Sequence, residues 1–172
     1  EALQGAGEKV QDGDPVVFRV LAPFTVTEGA SSYVVSPAGA MRVTVAIDFP
    51  HPLIGSQAGS YEVTPEVFAR ELAGARTFGF VHEVEALKAK GLIQGASPGN
   101  AVVLTDTGLV DGTTLRWPDE FVRHKAADLI GDLALIGGRV QAHIVATRPS
   151  HQGNIALARA IARTGQREGG IA

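Results

Sequence analysis

Apolar and polar residues alternate along the first third of the chain, which is the pattern of half-buried β-strands. The alternation is clearest in residues 41–47, and residues 16–22 and 60–63 are also expected to form strands. Short extended segments are also expected at residues 25–27 and 32–35. Strands that follow one another so closely favour an antiparallel meander.

Helical signals begin after this β-rich region. Thr64 and Pro65 form an N-cap and a first-turn proline, which predicts a helix to about residue 75. Residues 76–80 are expected to form a loop. A second helix is predicted over residues 82–90, ended by Gly91. The rest should comprise a strand at 101–104, a β-rich run at 139–147, a last helix at 154–163 and a frayed tail at 164–172.

The most informative stretch is a predicted helix that starts after Pro118 and ends before Gly137. One face carries an apolar stripe that can dock on a sheet: Val122, Leu129, Ile130, Leu133 and Ile136. Another face places His124, Asp128 and Asp132 four residues apart, with Lys125 beside them.

A histidine and an aspartate one helical turn apart can bind the same divalent cation. A neutral imidazole nitrogen and a carboxylate oxygen are ligands that suit zinc. The same spacing is also typical of a solvated, hydrogen-bonded pair on an exposed helix. Both interpretations of His124 and Asp128 are therefore open at this point.

Composition narrows the function classes. The 172 residues carry a net charge of −3, which does not favour binding of nucleic acid. No apolar run approaches the roughly 20 residues that span a bilayer. Cysteine is absent, so a metal would need His, Asp or Glu ligands. We expect a cytoplasmic protein.

Four motifs carry a resemblance to a known family. They are Phe121-Val-Arg-His-Lys-x-x-Asp-x-Ile-Gly-Asp132, Ala75-Arg-Thr-Phe-Gly-Phe80, Ile47-Asp-Phe-x-His-Pro52 and Ser150-His151. In this order, over about residues 1–163, they resemble the C-terminal half of UDP-3-O-acyl-N-acetylglucosamine deacetylase, the zinc hydrolase of lipid A biosynthesis.

The resemblance implies an α+β fold. It implies a two-layer sheet-and-helix domain, equivalent to one half of a two-domain sandwich in which the helices lie between two sheets. A small βαβ insertion is expected at about residues 81–104.

The resemblance also implies roles for individual residues. His124 and Asp128 match zinc ligands, and Lys125 matches a lysine that contacts the substrate. His151 matches a histidine that stabilises the oxyanion or acts as general acid, and Asp132 matches the acid that orients it.

Further positions match residues that contact the substrate. Thr77 corresponds to a hydrogen-bonding partner of the tetrahedral intermediate, and Phe78 to a substrate contact. The insertion is implied to form a hydrophobic passage for the acyl chain, lined by Val84, Ile93, Ser97 and Val103.

In the family, the third zinc ligand and the general-base glutamate belong to the N-terminal half. The expected partners are therefore UDP-3-O-acyl-N-acetylglucosamine and that N-terminal half, in the same polypeptide or a separate chain. The isolated chain is expected to be inactive. Two alternatives are open: a non-catalytic module that binds acyl chains or proteins, or a hydrolase that takes its third ligand from His151 or Glu120.

One local departure from the family concerns the segment around His151. Residues 148–154 read Arg-Pro-Ser-His-Gln-Gly-Asn, where the family usually has Lys-Ser-Gly-His-Ala-Leu-Asn. The glycine has moved from before the histidine to after it.

Overall fold

The computed structural model describes residues 5–7, 9, 13–91, 93, 95, 97–110 and 112–170. In chain order the elements are β1 (Val17–Arg19), β2 (Phe24–Glu28), β3 (Ser31–Ser36), β4 (Arg42–Phe49), β5 (Gly55–Glu62), α1 (Pro65–Val67) with a π-helical turn (Phe68–Leu72), β6 (Thr77–Phe80), α2 (Val81–Ala89), β7 (Ala101–Leu104), α3 (Glu120–Ala134), β8 (Arg139–Gln141), β9 (His143–Thr147), α4 (His151–Thr164) and β10 (Gln166–Glu168).

The largest sheet has the strand order β2-β3-β9-β4-β5. The two hairpins β2–β3 and β4–β5 are antiparallel, as the alternation predicts. The expected simple meander is wrong, however, because β9 lies between the hairpins, antiparallel to β3 and parallel to β4. Alternation shows which face of a strand is buried, but it does not identify the neighbouring strand.

Helices α3 and α4 cover one face of this sheet and pack against each other. On α3, Val122, Leu129 and Leu133 are buried and Ile130 packs against the core, as does Ile136 just after the helix ends, which confirms the apolar stripe. The resulting layers of helices and mixed sheets confirm the α+β class. Among the described residues, every helix is too short or too polar to span a lipid bilayer.

The βαβ unit is formed by β6, α2 and β7, with the two strands parallel and Phe78 opposite Val102. The prediction of a loop at residues 76–80 is wrong for Thr77–Phe80. The strand that pairs with β6 comes only after α2, so the sequence next to β6 carries no hairpin signal. Gly91 follows α2 with a φ of 71°, the left-handed conformation expected of a helix end. Residues 92, 94 and 96, between α2 and β7, lie outside the described residues.

The third sheet has the order β10-β1-β8. The prediction of fraying after Thr164 is wrong for Gln166–Glu168, which pairs with Val17–Arg19 along its whole length. Arg19 Nη2 also donates to Glu168 Oε2 at 3.0 Å. This polar strand has no apolar alternation, so its pairing could not be read from the hydrophobic pattern.

Hydroxyl caps set the starts of α1 and α4. Thr64 Oγ1 accepts from Val67 N at 3.2 Å, as expected, although the helix widens into the π-helical turn after three residues. Ser150 Oγ accepts from Gly153 N at 3.1 Å and starts α4 at His151, three residues earlier than predicted. His151 is therefore held at the first position of a helix.

Candidate functional site

A cavity of about 590 Å³ opens between α3, β6 and the start of α4. Six residues that the sequence analysis singled out line it together: Thr77, Phe78, His124, Lys125, Asp128 and His151. They come from three separate parts of the chain, which only the folded structure brings to one place.

The imidazole of His124 and the carboxylate of Asp128 face each other on α3. His124 Nε2 lies 3.4 Å from Asp128 Oδ1. Burial lowers the pKa of His124, although the nearby Asp128 carboxylate and a hydrogen bond to the Ala75 backbone act in the opposite direction. A neutral imidazole is the form in which histidine binds metals.

Lys125 and Phe78 complete the surroundings of this pair. Lys125 Nζ donates to Asp128 Oδ2 at 3.0 Å, so the other carboxylate oxygen is the one directed at His124. Phe78 meets the imidazole of His124 edge-on, with ring centroids 6.1 Å apart. Both contacts restrict the motion of the Asp128 and His124 side chains, whose oxygen and nitrogen would bind a metal.

His151 lies across the cavity, at the start of α4. Its Nδ1 is 2.8 Å from Asp132 Oδ2, and its Nε2 is 3.9 Å from Asp128 Oδ2. Because a carboxylate only accepts hydrogen bonds, Nδ1 must donate to Asp132. This contact leaves Nε2 free of Asp132 and 3.9 Å from the Asp128 carboxylate at the cavity wall.

The donors fit part of a metal site. Within the described residues, no group of three or more His, Cys, Asp or Glu side chains is arranged to hold a metal ion. His124 and Asp128 supply two ligands of the right chemistry on one helix face. The idea that Glu120 supplies a third is wrong, because its side chain is fully buried and paired with Arg76. The Nδ1 atom of His151 is hydrogen-bonded to Asp132. Among the described residues, its Nε2 atom is not part of a group of three possible metal ligands.

Sequence reasoning missed a buried ion pair behind the site. Glu120 Oε1 accepts from Arg76 N at 3.1 Å and Nε at 2.8 Å, and Oε2 accepts from Arg76 Nη2 at 3.0 Å and from Arg116 N at 2.6 Å. Burial alone would raise the pKa of Glu120, but the hydrogen bonds from Arg76 and Arg116 outweigh it and lower the pKa. This pair fixes the backbone directly before Thr77 and Phe78. The two charged residues are 44 positions apart, so no local signal links them.

The residues expected to line an acyl passage lie elsewhere. In the described part of the chain, Val84, Ile93, Ser97 and Val103 are not in the wall of this cavity. Val84 and Val103 are half-buried within the βαβ unit, whereas Ile93 and Ser97 are exposed. The unit reaches the cavity through Gly79, Phe80 and Glu83 instead. A passage lined by the four residues stays a prediction.

Comparison with known proteins identifies relatives of this chain. A family model described as LpxC, UDP-3-O-acyl N-acetylglycosamine deacetylase, matches residues 1–163. UDP-3-O-acyl-N-acetylglucosamine deacetylase of Nitratidesulfovibrio vulgaris is 44% identical over 149 residues, which are 87% of this chain and 48% of the relative. The protein of the same name from Thermosynechococcus vestitus is 45% identical over 163 residues, 95% of this chain and 56% of the relative.

The chain therefore spans about half the length of the curated relatives it matches. The match covers all four motifs and every residue that lines the cavity on α3, β6 and α4. This chain belongs to the UDP-3-O-acyl N-acetylglycosamine deacetylase family.

Proposed function

We propose that this chain forms the C-terminal part of a zinc-dependent amide hydrolase, which removes the acetyl group from UDP-3-O-acyl-N-acetylglucosamine in lipid A biosynthesis. The proposal rests on one observation. Four side chains with the required chemistry line the same cavity: His124, Asp128, Lys125 and His151. The relatives are named as deacetylases of this substrate. The place of action is proposed to be the cytoplasm.

His124 Nε2 and Asp128 Oδ1 would hold the zinc ion from the α3 side. Catalytic zinc usually has three protein ligands and one water. The third ligand, a histidine, and the general-base glutamate would come from the N-terminal half, for which the greater length of the relatives leaves room. Bound zinc supplies a Lewis acid that polarises the acetamide carbonyl and acidifies water.

The chain's own residues would act on the substrate from the opposite side. His151, held through Nδ1 by Asp132, would donate from Nε2 to the developing oxyanion or to the leaving amine. Thr77, exposed at the start of β6, would hydrogen-bond the tetrahedral intermediate. Lys125 would position the substrate while keeping one oxygen of Asp128 occupied.

Phe78 would contact the substrate through its ring, since it lies between the cavity and the core residue Phe121, with centroids 5.0 Å apart. The acyl chain would leave the cavity along the βαβ unit, past Gly79 and Phe80. In this proposal Val84, Ile93, Ser97 and Val103 line the more distant part of its path.

The test is a deacetylase assay on UDP-3-O-acyl-N-acetylglucosamine with zinc, using the chain alone and joined to a matching N-terminal half from a relative. The chain alone should bind zinc weakly and show no turnover, since loss of a general base removes roughly 10²–10⁴-fold of rate. The joined protein should bind zinc tightly and turn over. Asp128→Ala should abolish zinc-dependent thermal stabilisation in both forms without unfolding them.

Glu168→Ala is the matched control, because this exposed carboxylate in β10 lies outside the cavity. It should leave zinc binding and turnover unchanged. Robust zinc-dependent turnover by the chain alone would refute the division of ligands. A joined protein that stays inactive while still binding acyl chains would favour the non-catalytic module, the alternative that the two-donor count leaves open.

A further inference from the structure

We propose that Tyr33 and Asn154 are positioning residues that hold Asp132, and through it His151, in the orientation that the reaction needs. The inference deepens the proposed function and rests on it for the role of His151. Neither Tyr33 nor Asn154 lines the cavity, so any influence on the reaction must pass through the groups they hydrogen-bond, Asp132 and Ser150.

His151 depends on few contacts for its orientation. Its side chain is 69% exposed, although it stands at the cavity wall. Its hydrogen bond to Asp132 Oδ2, at 2.8 Å, is the shortest polar contact that fixes the ring. Consequently the position of the imidazole is only as well defined as the position of that carboxylate.

Asn154 holds the carboxylate from within the core. Asn154 Nδ2 donates at 2.8 Å to Asp132 Oδ2, the same oxygen that accepts from His151. Asn154 is fully buried, one turn along α4 from His151. The two donors therefore converge on one oxygen atom, and a shift of the amide would move the acceptor of His151.

Tyr33 in turn fixes which way the amide of Asn154 points. The hydroxyl of Tyr33 donates to Asn154 Oδ1 at 2.8 Å and accepts from Ser150 N at 3.4 Å. Burial raises the pKa of Tyr33, so the hydroxyl keeps its proton. With Oδ1 engaged by a donor, the NH₂ group must face Asp132.

The hydrogen bonds of this network follow one consistent donor-to-acceptor direction. Ser150 N donates to Tyr33, Tyr33 donates to Asn154, and Asn154 donates to Asp132. The Asp132 carboxylate also accepts the hydrogen bond from His151. A buried network in which every group is satisfied restricts its members strongly. The network starts at Ser150, the N-cap of α4, and ends at His151, the first residue of that helix, so it also ties the start of α4 to α3 and β3.

Gly153 explains how the Tyr33 hydroxyl reaches this position. A Cβ at Gly153 would lie 2.4 Å from Tyr33 Oη and 2.9 Å from Ser31 Cβ. Tyr33 therefore occupies the space that a side chain at position 153 would need. The glycine that departs from the family's usual segment is the one that admits the hydroxyl.

The test compares Tyr33→Phe with the wild type by two measurements. Removal of the hydroxyl frees the Asn154 amide to rotate, so Asp132 and the His151 ring should become mobile. In the chain as it stands, the ¹³C order parameter of the His151 ring should fall clearly below its wild-type value, into the range below about 0.6 that marks flexible groups. In the joined protein, kcat should fall about tenfold with KM within about twofold.

Tyr61→Phe is the matched control, because Tyr61 is the other tyrosine and is also buried, in β5 outside the cavity. It should change neither measurement. Should Tyr33→Phe not fold, Asn154→Ala removes the amide that donates to Asp132 and must give the same two changes.

An order parameter of His151 that stays at the wild-type value would overturn the proposal. So would a mobile ring with unchanged kcat in an active protein, or an equal loss of kcat in Tyr61→Phe. If the wild-type joined protein shows no turnover, the proposed function fails, and the order parameter alone then decides whether Tyr33 and Asn154 position His151.

Discussion

Replacement of Glu120 by glutamine should destabilise the domain strongly, although only one heavy atom changes. The carboxylate is fully buried and accepts four hydrogen bonds, two at each oxygen. Glutamine keeps one acceptor oxygen, but its NH₂ group cannot accept from Arg76 Nη2 or Arg116 N. The guanidinium of Arg76 is then left buried without a counter-charge.

The magnitude follows from the two bonds that are lost. Hydrogen bonds to charged groups contribute about 1.5–3 kcal/mol each, which predicts a loss of about 3–6 kcal/mol. Breaking a buried ion pair by changing one partner typically costs about 3–5 kcal/mol, so the two approaches agree. For a domain of this size, a loss of about 4 kcal/mol lowers Tm by about 8–16 °C.

The assay is thermal and urea unfolding followed by circular dichroism. Glu62→Gln is the control, since the Glu62–Arg42 pair spans 3.6 Å and both side chains are 53% exposed. Its Tm should not change measurably. A Tm loss for Glu120→Gln below about 3 °C, equivalent to about 1 kcal/mol, would refute the argument that the carboxylate is irreplaceable.

The pH dependence of the difference gives an independent check. Because the pKa of Glu120 is lowered on folding, its contribution is complete above the ordinary carboxyl pKa of about 4.3 and is lost as pH falls through the folded-state pKa. The gap in stability between wild type and Glu120→Gln should therefore narrow in acid. A gap that widens as pH falls would contradict the sign of the shift.

Two further predictions concern His124 and a close backbone contact. Burial lowers the pKa of His124, so protons compete less with a metal, and zinc-dependent stabilisation should persist below pH of about 6.5 and disappear only as pH falls through the lowered pKa. A midpoint above that pH in thermal-shift titrations would contradict the prediction. Gly138→Ala should cost about 1–3 kcal/mol in urea unfolding, because its Cβ would lie 2.8 Å from the carbonyl oxygen of Val16. Gly131→Ala, in α3 with open space around it, should instead be neutral or stabilising by up to about 1 kcal/mol.

The sequence allowed the local part of this site to be predicted. The four-residue spacing of His124, Asp128 and Asp132 places them on one face of α3, since helical periodicity is a local property. The docking face of α3 followed from the same periodicity. What approaches the polar face, at His151 and Thr77, was expected only from the family resemblance.

Long-range partners explain what could not be predicted. Tyr33 and Asn154 are 121 positions apart, and each alone is an ordinary buried polar residue. Likewise the local sequence predicts a loop where β6 lies, because the strand that pairs with it follows a helix. Hydrophobic patterning specifies which face of an element is buried, whereas partner choice depends on contacts that form only in the folded chain.

The position of β9 has a consequence for how the chain acquires its fold. The strand that joins the two hairpins, β9, is synthesised roughly a hundred residues after β4. Contacts between segments so far apart in the sequence imply a high contact order and slow folding. At about 5–20 residues per second, β3 and β4 would present open backbone edges for roughly 5–20 s during synthesis. Open edges recruit other strands, so aggregation should compete with folding in this interval. A chain cut before His143 would lose the middle of its sheet, leaving two separate hairpins with no shared core.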